Sequence, residues 1–171
     1  HNLTCIDVDE KYDLTGTLYK DLIDKLGGLE KKMRINMTRS GGKHLIFSCK
    51  EVCEGNLKLA NRHTTDSEKR AYFDRQLSLG KTFEEAALSA LSHKSLVLIE
   101  TRGRGGYIIA PPSQGYYKIS GEIHVISLEE YNFVMDVCRS FNSYVPPKRN
   151  FDNTNKISDR IKKFNSEADT V

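Results

Sequence analysis

Apolar positions along this chain fall into short β-branched runs, interrupted by stretches with helical spacing. Leu3 to Val8 reads as a strand. Leu14, Leu18, Leu22, Ile23 and Leu26 recur every three or four residues, which predicts a helix over Leu14 to Leu26, stopped by Gly27-Gly28. Met33 to Met37 and His44 to Cys49 predict two more strands, joined by a tight turn at Ser40-Gly41-Gly42. Residues 50–65 are polar and poorly patterned. Thr65-x-x-Glu68 and Thr82-x-x-Glu85 are capping-box signatures, opening helices that run to about Leu79 and about Leu91. Leu96 to Glu100, Tyr107 to Ala110 and Ile123 to Ile126 predict further strands. Ser127-x-x-Glu130 then opens a helix to about Phe141, with Tyr131, Val134, Met135 and Cys138 on one face.

Strands and helices in this order support an α+β domain. The two middle helices break the run of strands, so residues 51–94 read as a helical insertion or lid within a catalytic core spanning 1–145. From Val145 the chain turns polar through Pro146-Pro147. Residues 146–171 read as a linker, with a short helix near Ile157 to Phe164, leading toward a further C-terminal domain.

The 171 residues suit one domain with a full core, and a mean hydropathy of -0.52 describes a soluble globular protein. No apolar run approaches the roughly 20 residues that span a bilayer, so no membrane partner is expected. Asp7, Asp9 and Glu10 interrupt the early apolar stretch, which excludes a signal peptide there. A cytoplasmic location, in a bacterial or phage-infected cell, is the expectation. A net charge of +3 decides little. Of the four cysteines, Cys5 and Cys138 sit in apolar surroundings and are expected to be reduced and buried. Cys49-x3-Cys53, with His63 downstream, lacks a fourth ligand and the usual two-residue spacing, so zinc is not expected. Gly80-Lys81-Thr82 fails as a nucleotide loop, because Arg75 stands where the earlier glycine is required and no strand precedes it.

Three segments carry candidate chemistry. Asp7 and Asp9, two apart on a strand, project to the same side. Two carboxylates about 4 Å apart repel by roughly 4 kcal/mol at an effective dielectric near 20, which solvent or a cation must relieve. Glu100 arrives at the end of an apolar strand beside the basic, glycine-rich turn Arg102-Gly103-Arg104-Gly105-Gly106. Arg39, Ser40, Gly41, Gly42, Lys43 and His44 make a small loop in which glycines let backbone amides approach phosphate oxygens, while Ser40 and His44 donate and Arg39 or Lys43 neutralises charge. Each segment has an ordinary reading: solvated acids at a strand end, an ion pair of Glu100 with Arg102 or Arg104, and a Gly-Gly hairpin turn. Their combination points to divalent metal and phosphate chemistry.

Asp7-x-Asp9, then Thr38-x-Ser40-Gly41-Gly42-x-His44, then Glu100 followed by Arg102-Gly103-x-Gly105-Gly106-Tyr107 and Pro111-Pro112-Ser113, resembles the primase–polymerase branch of the archaeo-eukaryotic primases. Gly115-Tyr116 fits the glycine-tyrosine that commonly follows. The resemblance spans about residues 3–142, and its style is that of phage or mobile-element replication proteins. It implies a mixed, largely antiparallel central sheet with flanking helices, the primase-like, RRM-like catalytic core. It also implies a template-directed nucleotidyltransferase using two magnesium or manganese ions. On this sequence the metal-binding and catalytic acids are Asp7, Asp9 and Glu100, and Ser40 and His44 hold the phosphates of the incoming nucleotide. The implied partners are a single-stranded DNA template, nucleoside triphosphates, and a helicase domain or subunit in the full-length protein. Two departures stand out: the third acid is Glu where many relatives carry Asp, and relatives have several tens of residues before the first motif.

Template contacts are less legible. Arg102, Arg104, Lys118 and Lys148-Arg149 are candidates for phosphate contact, and Tyr107, Tyr116 and Tyr117 for stacking on bases. Two rival functions use the same residues differently. In a metal-dependent nuclease the acids would activate water, and a non-catalytic nucleic-acid-binding module would not need them.

Overall fold

Strand alternation gives the central sheet two chemically different faces. The computed structural model describes residues 2–52 and 54–147. His1, Cys53 and residues 148–171 lie outside the described residues, and with them the expected linker, the helix near Ile157 and Lys148-Arg149. The elements are β1 (Leu3–Val8), α1 (Leu18–Leu26), β2 (Arg34–Met37), β3 (Lys43–Ser48), β4 (Lys58–His63), α2 (Asp66–Ser78), α3 (Phe83–Ser92), β5 (Ser95–Arg102), β6 (Tyr117–Ser120) and α4 (Leu128–Arg139). The fold is α+β, with one six-stranded sheet in the order β4-β5-β1-β3-β2-β6. The pairings β1–β3, β1–β5, β2–β3 and β2–β6 are antiparallel. An isolated bridge, Ser48 to Val125, is parallel.

The chain forms two compact units. One consists of His1–Arg62 with Leu96–Tyr144, and the other contains His63–Ser95. In the first unit, Ile6, Val8, Ile35, Leu45, Phe47 and Ile99 line one face of the sheet and pack with Leu18, Leu22 and Leu26 of α1 and Tyr131, Val134, Met135 and Cys138 of α4. Burying side chains of this size stabilises the fold by roughly 1.5–3 kcal/mol each before entropy is counted. Cys5 and Cys138 are buried free thiols, as expected. In the second unit, Thr65 and Thr82 both form complete capping boxes, and Phe73 packs on Ala86, Ala87 and Ala90.

Several elements depart from the sequence expectation. Helix α1 starts at Leu18 rather than Leu14, because the Asp13 carboxylate accepts from the amides of Thr15 (2.9 Å) and Leu18 (2.8 Å), building a side-chain-bonded turn that competes with helix. Strand β4 occupies part of the stretch read as unpatterned; as an edge strand with only Leu59 and Ala60 as apolar residues, it shows no period. Tyr107 to Ala110 is not a strand. Both sides of β5 are already taken by β4 and β1, so no hydrogen-bonding edge is open beside it. The open edge of β2 is filled instead by β6, ten residues further along by chain position 117. Ile123 to Ile126 contributes only the bridge at Val125.

The β2–β3 hairpin closes through Thr38 N–H to Gly42 O (2.9 Å) and Gly41 N–H to Thr38 O (3.0 Å). Gly41 has φ +90°, a left-handed conformation suited to glycine. At Gly42 the constraint is contact: a Cβ there would lie 2.4 Å from the Val8 carbonyl oxygen. Gly42→Ala is therefore expected to destabilise the protein by about 1–3 kcal/mol. Urea denaturation checks this; an unchanged midpoint would show that the hairpin can move off β1 at no cost.

Candidate functional site

The face of the sheet opposite the α1–α4 core carries a row of polar residues across successive strands. In antiparallel pairs, residues directly opposite share a face. Asp7 on β1 stands opposite Glu100 on β5 and opposite His44 on β3. The row continues to Asn36 on β2, opposite His44, and to Lys118 on β6, opposite Asn36. Two residues back along β1, on the same face, Cys5 lies between Arg102 and Ile46, and Ile46 is opposite Arg34. Acids thus collect at β5–β1, and hydrogen-bond donors collect at β3, β2 and β6.

The acidic end is crowded and poorly hydrated. The side chains of Asp7 and Glu100 are only 19% and 16% exposed. Burial, followed by the neighbouring Asp9 charge, raises the Asp7 carboxyl to about 6, against partial relief from Arg102 and Lys11. Burial also raises Glu100, and Arg102 opposes that while Asp7 and Asp9 add to it. The Arg102 guanidinium bridges the two acids: an Nη hydrogen-bonds Glu100 Oε1, and Nε lies 3.9 Å from Asp7 Oδ2. The ion pair anticipated for Glu100 is thus present, and it extends to Asp7.

Asp9 sits one residue beyond the end of β1 and pairs with Lys11 at 3.2 Å. Its amide donates to Leu98 O at 2.9 Å, which ties it to β5. His44 is buried, with Nε2 3.6 Å from Asp7 Oδ1 and its ring centroid 6.3 Å from that of Tyr116. Burial and the Arg102 charge lower its pKa, so the imidazole is neutral at pH 7.

The loop residues divide. Ser40 is exposed and shares a hydrogen bond with Thr38 Oγ1 at 3.2 Å. The Gly41 amide is consumed inside the turn, and Gly42 is held against Val8. Lys43 points to the face opposite His44, where Nζ reaches Glu10 and the Gly41 carbonyl and lies over the Tyr19 ring. Arg39 is exposed beside Gly115. Arg104 stands apart from Arg102, lining a cavity of about 240 Å³ with Asn2, Thr4, Val52 and Glu54.

Two polar residues of this face, Arg34 and Asn36, were not singled out from sequence. Asn36 is fully buried, and its Oδ1 accepts from Arg34 Nε at 3.2 Å. The available signal was a polar residue between Ile35 and Met37 in a run otherwise read as apolar strand.

The donor set of carboxylate oxygens suits a hard divalent cation such as magnesium or manganese. Burial is the main reason both carboxyls are raised, with Asp9 adding to it, so both acids are poorly solvated as anions and a bound cation would relieve that cost. Among the described residues, no three His, Cys, Asp or Glu side chains converge closely enough to enclose an ion as they stand. Also among the described residues, no helix is long and apolar enough to cross a membrane.

Between the ordinary aspartate value of 3.8 and about 6, folded Asp7 keeps a proton that the unfolded chain has released. Folding takes up a proton in that window, so stability falls as pH rises through it and levels off above it. Glu100 acts with the same sign. Asp7→Asn is expected to flatten this dependence and to raise stability at pH 7 by roughly 2 kcal/mol. Urea midpoints at pH 4 and pH 7 measure it. Midpoints that do not separate parent from variant at pH 7 would show that the acids do not burden the fold.

Comparison with family models, with characterised proteins and with solved structures finds no match.

Proposed function

We propose that this chain is a template-directed nucleotidyltransferase, making primers or extending DNA from nucleoside triphosphates on a single-stranded template. The observation that carries this reading is the alignment of Glu100, Asp7 and His44 across three adjacent strands. Those residues come from three separated motifs of the primase–polymerase resemblance. Their meeting on one sheet face is what a shared catalytic site requires. The helices packed on the other face support reading the sheet as the RRM-like core of that family.

Asp7, Asp9 and Glu100 would hold two magnesium or manganese ions, which when bound activate a hydroxyl and neutralise triphosphate charge. The protein's own contribution is positioning and electrostatics. β1 and β5 fix two carboxylates opposite one another, and Asp9 adds a third acid at the strand end. Arg102 balances the acids, and its guanidinium must turn aside for a dication to take its place; once displaced, it is available to a phosphate. His44 presents a neutral imidazole next to Asp7, on the side away from Glu100. Ser40 lies at the exposed hairpin tip, where a triphosphate can reach it.

Asp9→Ala and Glu100→Gln are each expected to reduce nucleotide incorporation by at least 100-fold in a primer-extension and de novo synthesis assay with magnesium or manganese. Binding of single-stranded DNA should persist in both. Equal incorporation by variants and parent rejects the assignment. Metal-dependent strand cleavage without incorporation would instead select the nuclease reading, and DNA binding without either activity would select the binding module.

A further inference from the structure

Two polar atoms on the donor side of the site are buried with no hydrogen-bond partner: Asn36 Nδ2 and His44 Nδ1. They belong to residues directly opposite one another on β2 and β3. Asn36 is 0% exposed and His44 5%. A buried polar atom left unpaired is costly, so side-by-side instances in a packed sheet call for a function. The hydrogen bond from Arg34 Nε fixes Asn36 Oδ1 as the acceptor end of the amide. Nδ2 is therefore committed as a donor, and only an acceptor satisfies it.

We infer that Asn36 is a phosphate-binding residue that works with His44, donating from Nδ2 to a non-bridging oxygen of the incoming triphosphate. This rests on the nucleotidyltransferase reading above and adds a residue to it. The placement favours an anion over a neutral acceptor. Asn36 lies on the side of His44 away from Asp7 and Glu100, flanked by Arg34 on its own strand and Lys118 across from it on β6. A triphosphate laid along this row would place its anionic oxygens by the donors and its metal-facing side by the acids. Both nitrogen atoms are shielded from water, and the Tyr116 ring tilts near the imidazole. Tyr116 ends a turn closed by its own amide donating to Ser113 O at 3.0 Å, and a phosphate oxygen reaching the imidazole would meet that ring.

The test is equilibrium binding to the full chain of three probes: a nucleoside triphosphate, inorganic tripolyphosphate, and the unphosphorylated nucleoside. Parent is compared with Asn36→Leu and with Asn36→Ser, which is small enough to be accommodated wherever Asn fits. Thermal melting is measured alongside. The expected result is that both polyphosphates bind the parent and lose roughly tenfold or more in affinity in both variants, with melting temperature held or raised in Asn36→Leu. Unchanged polyphosphate affinity in a folded variant overturns the role of Asn36 and leaves the broader reading standing. A parent that binds neither polyphosphate overturns both. Loss of nucleoside binding with tripolyphosphate binding intact would assign Asn36 to the sugar or base and reject the phosphate role.

Discussion

Asp7 is placed where a carboxylate is least comfortable, directly across from a second acid on one side and within reach of a third at the end of its own strand. Like charges directly opposite on neighbouring strands are destabilising, and poor hydration deepens the cost. Burial first, and the Asp9 charge after it, raise the Asp7 carboxyl above its ordinary value. Arg102, bridging to both acids, relieves part of that tension. The rest of the arrangement follows from the need to hold this group in place: two antiparallel neighbours fix its strand on both sides, and the Leu98 carbonyl anchors the turn that carries Asp9.

The same pleat that exposes this tension on one face builds the core on the other. Ile6 and Val8 flank Asp7 in sequence and are both fully buried against α1 and α4. A one-residue slip of β1 would exchange the acid for an aliphatic residue on each face, so the hydrophobic core enforces the register on which the site depends. Lys43 illustrates the rule. It neighbours His44 in sequence, yet alternation sends it to the opposite face, where it serves Glu10 and Tyr19. A motif read as one cluster along the chain is therefore divided by the sheet into a residue of the polar row and a residue of the far side.

Much of the architecture was legible because local signals are strong where they repeat. Three capping boxes located the starts of α2, α3 and α4, and the apolar runs located β1, β3 and β5. What the sequence concealed were features decided by neighbours in space. An edge strand such as β4 needs few apolar residues. Whether Tyr107 to Ala110 or Tyr117–Ser120 becomes a strand depends on which sheet edge is still open. The side-by-side placement of Asp7, His44 and Glu100 was an expectation from motif order, and their cross-strand register is a property of the fold. Asn36 stayed hidden because one polar residue in a strand carries no period, and its unpaired amide is visible only in three dimensions.

The helical unit enters and leaves at nearly one point. Thr64 donates its amide to Lys94 O at 3.1 Å and its hydroxyl to His93 O at 2.6 Å. A segment whose ends are stitched together in this way behaves as an excursion from a hairpin. The entropy of closing such an excursion grows by only about 0.6 kcal/mol per doubling of its length. The join is thus a natural place for evolution to graft, trim or exchange modules, because such events need not disturb the strands on either side.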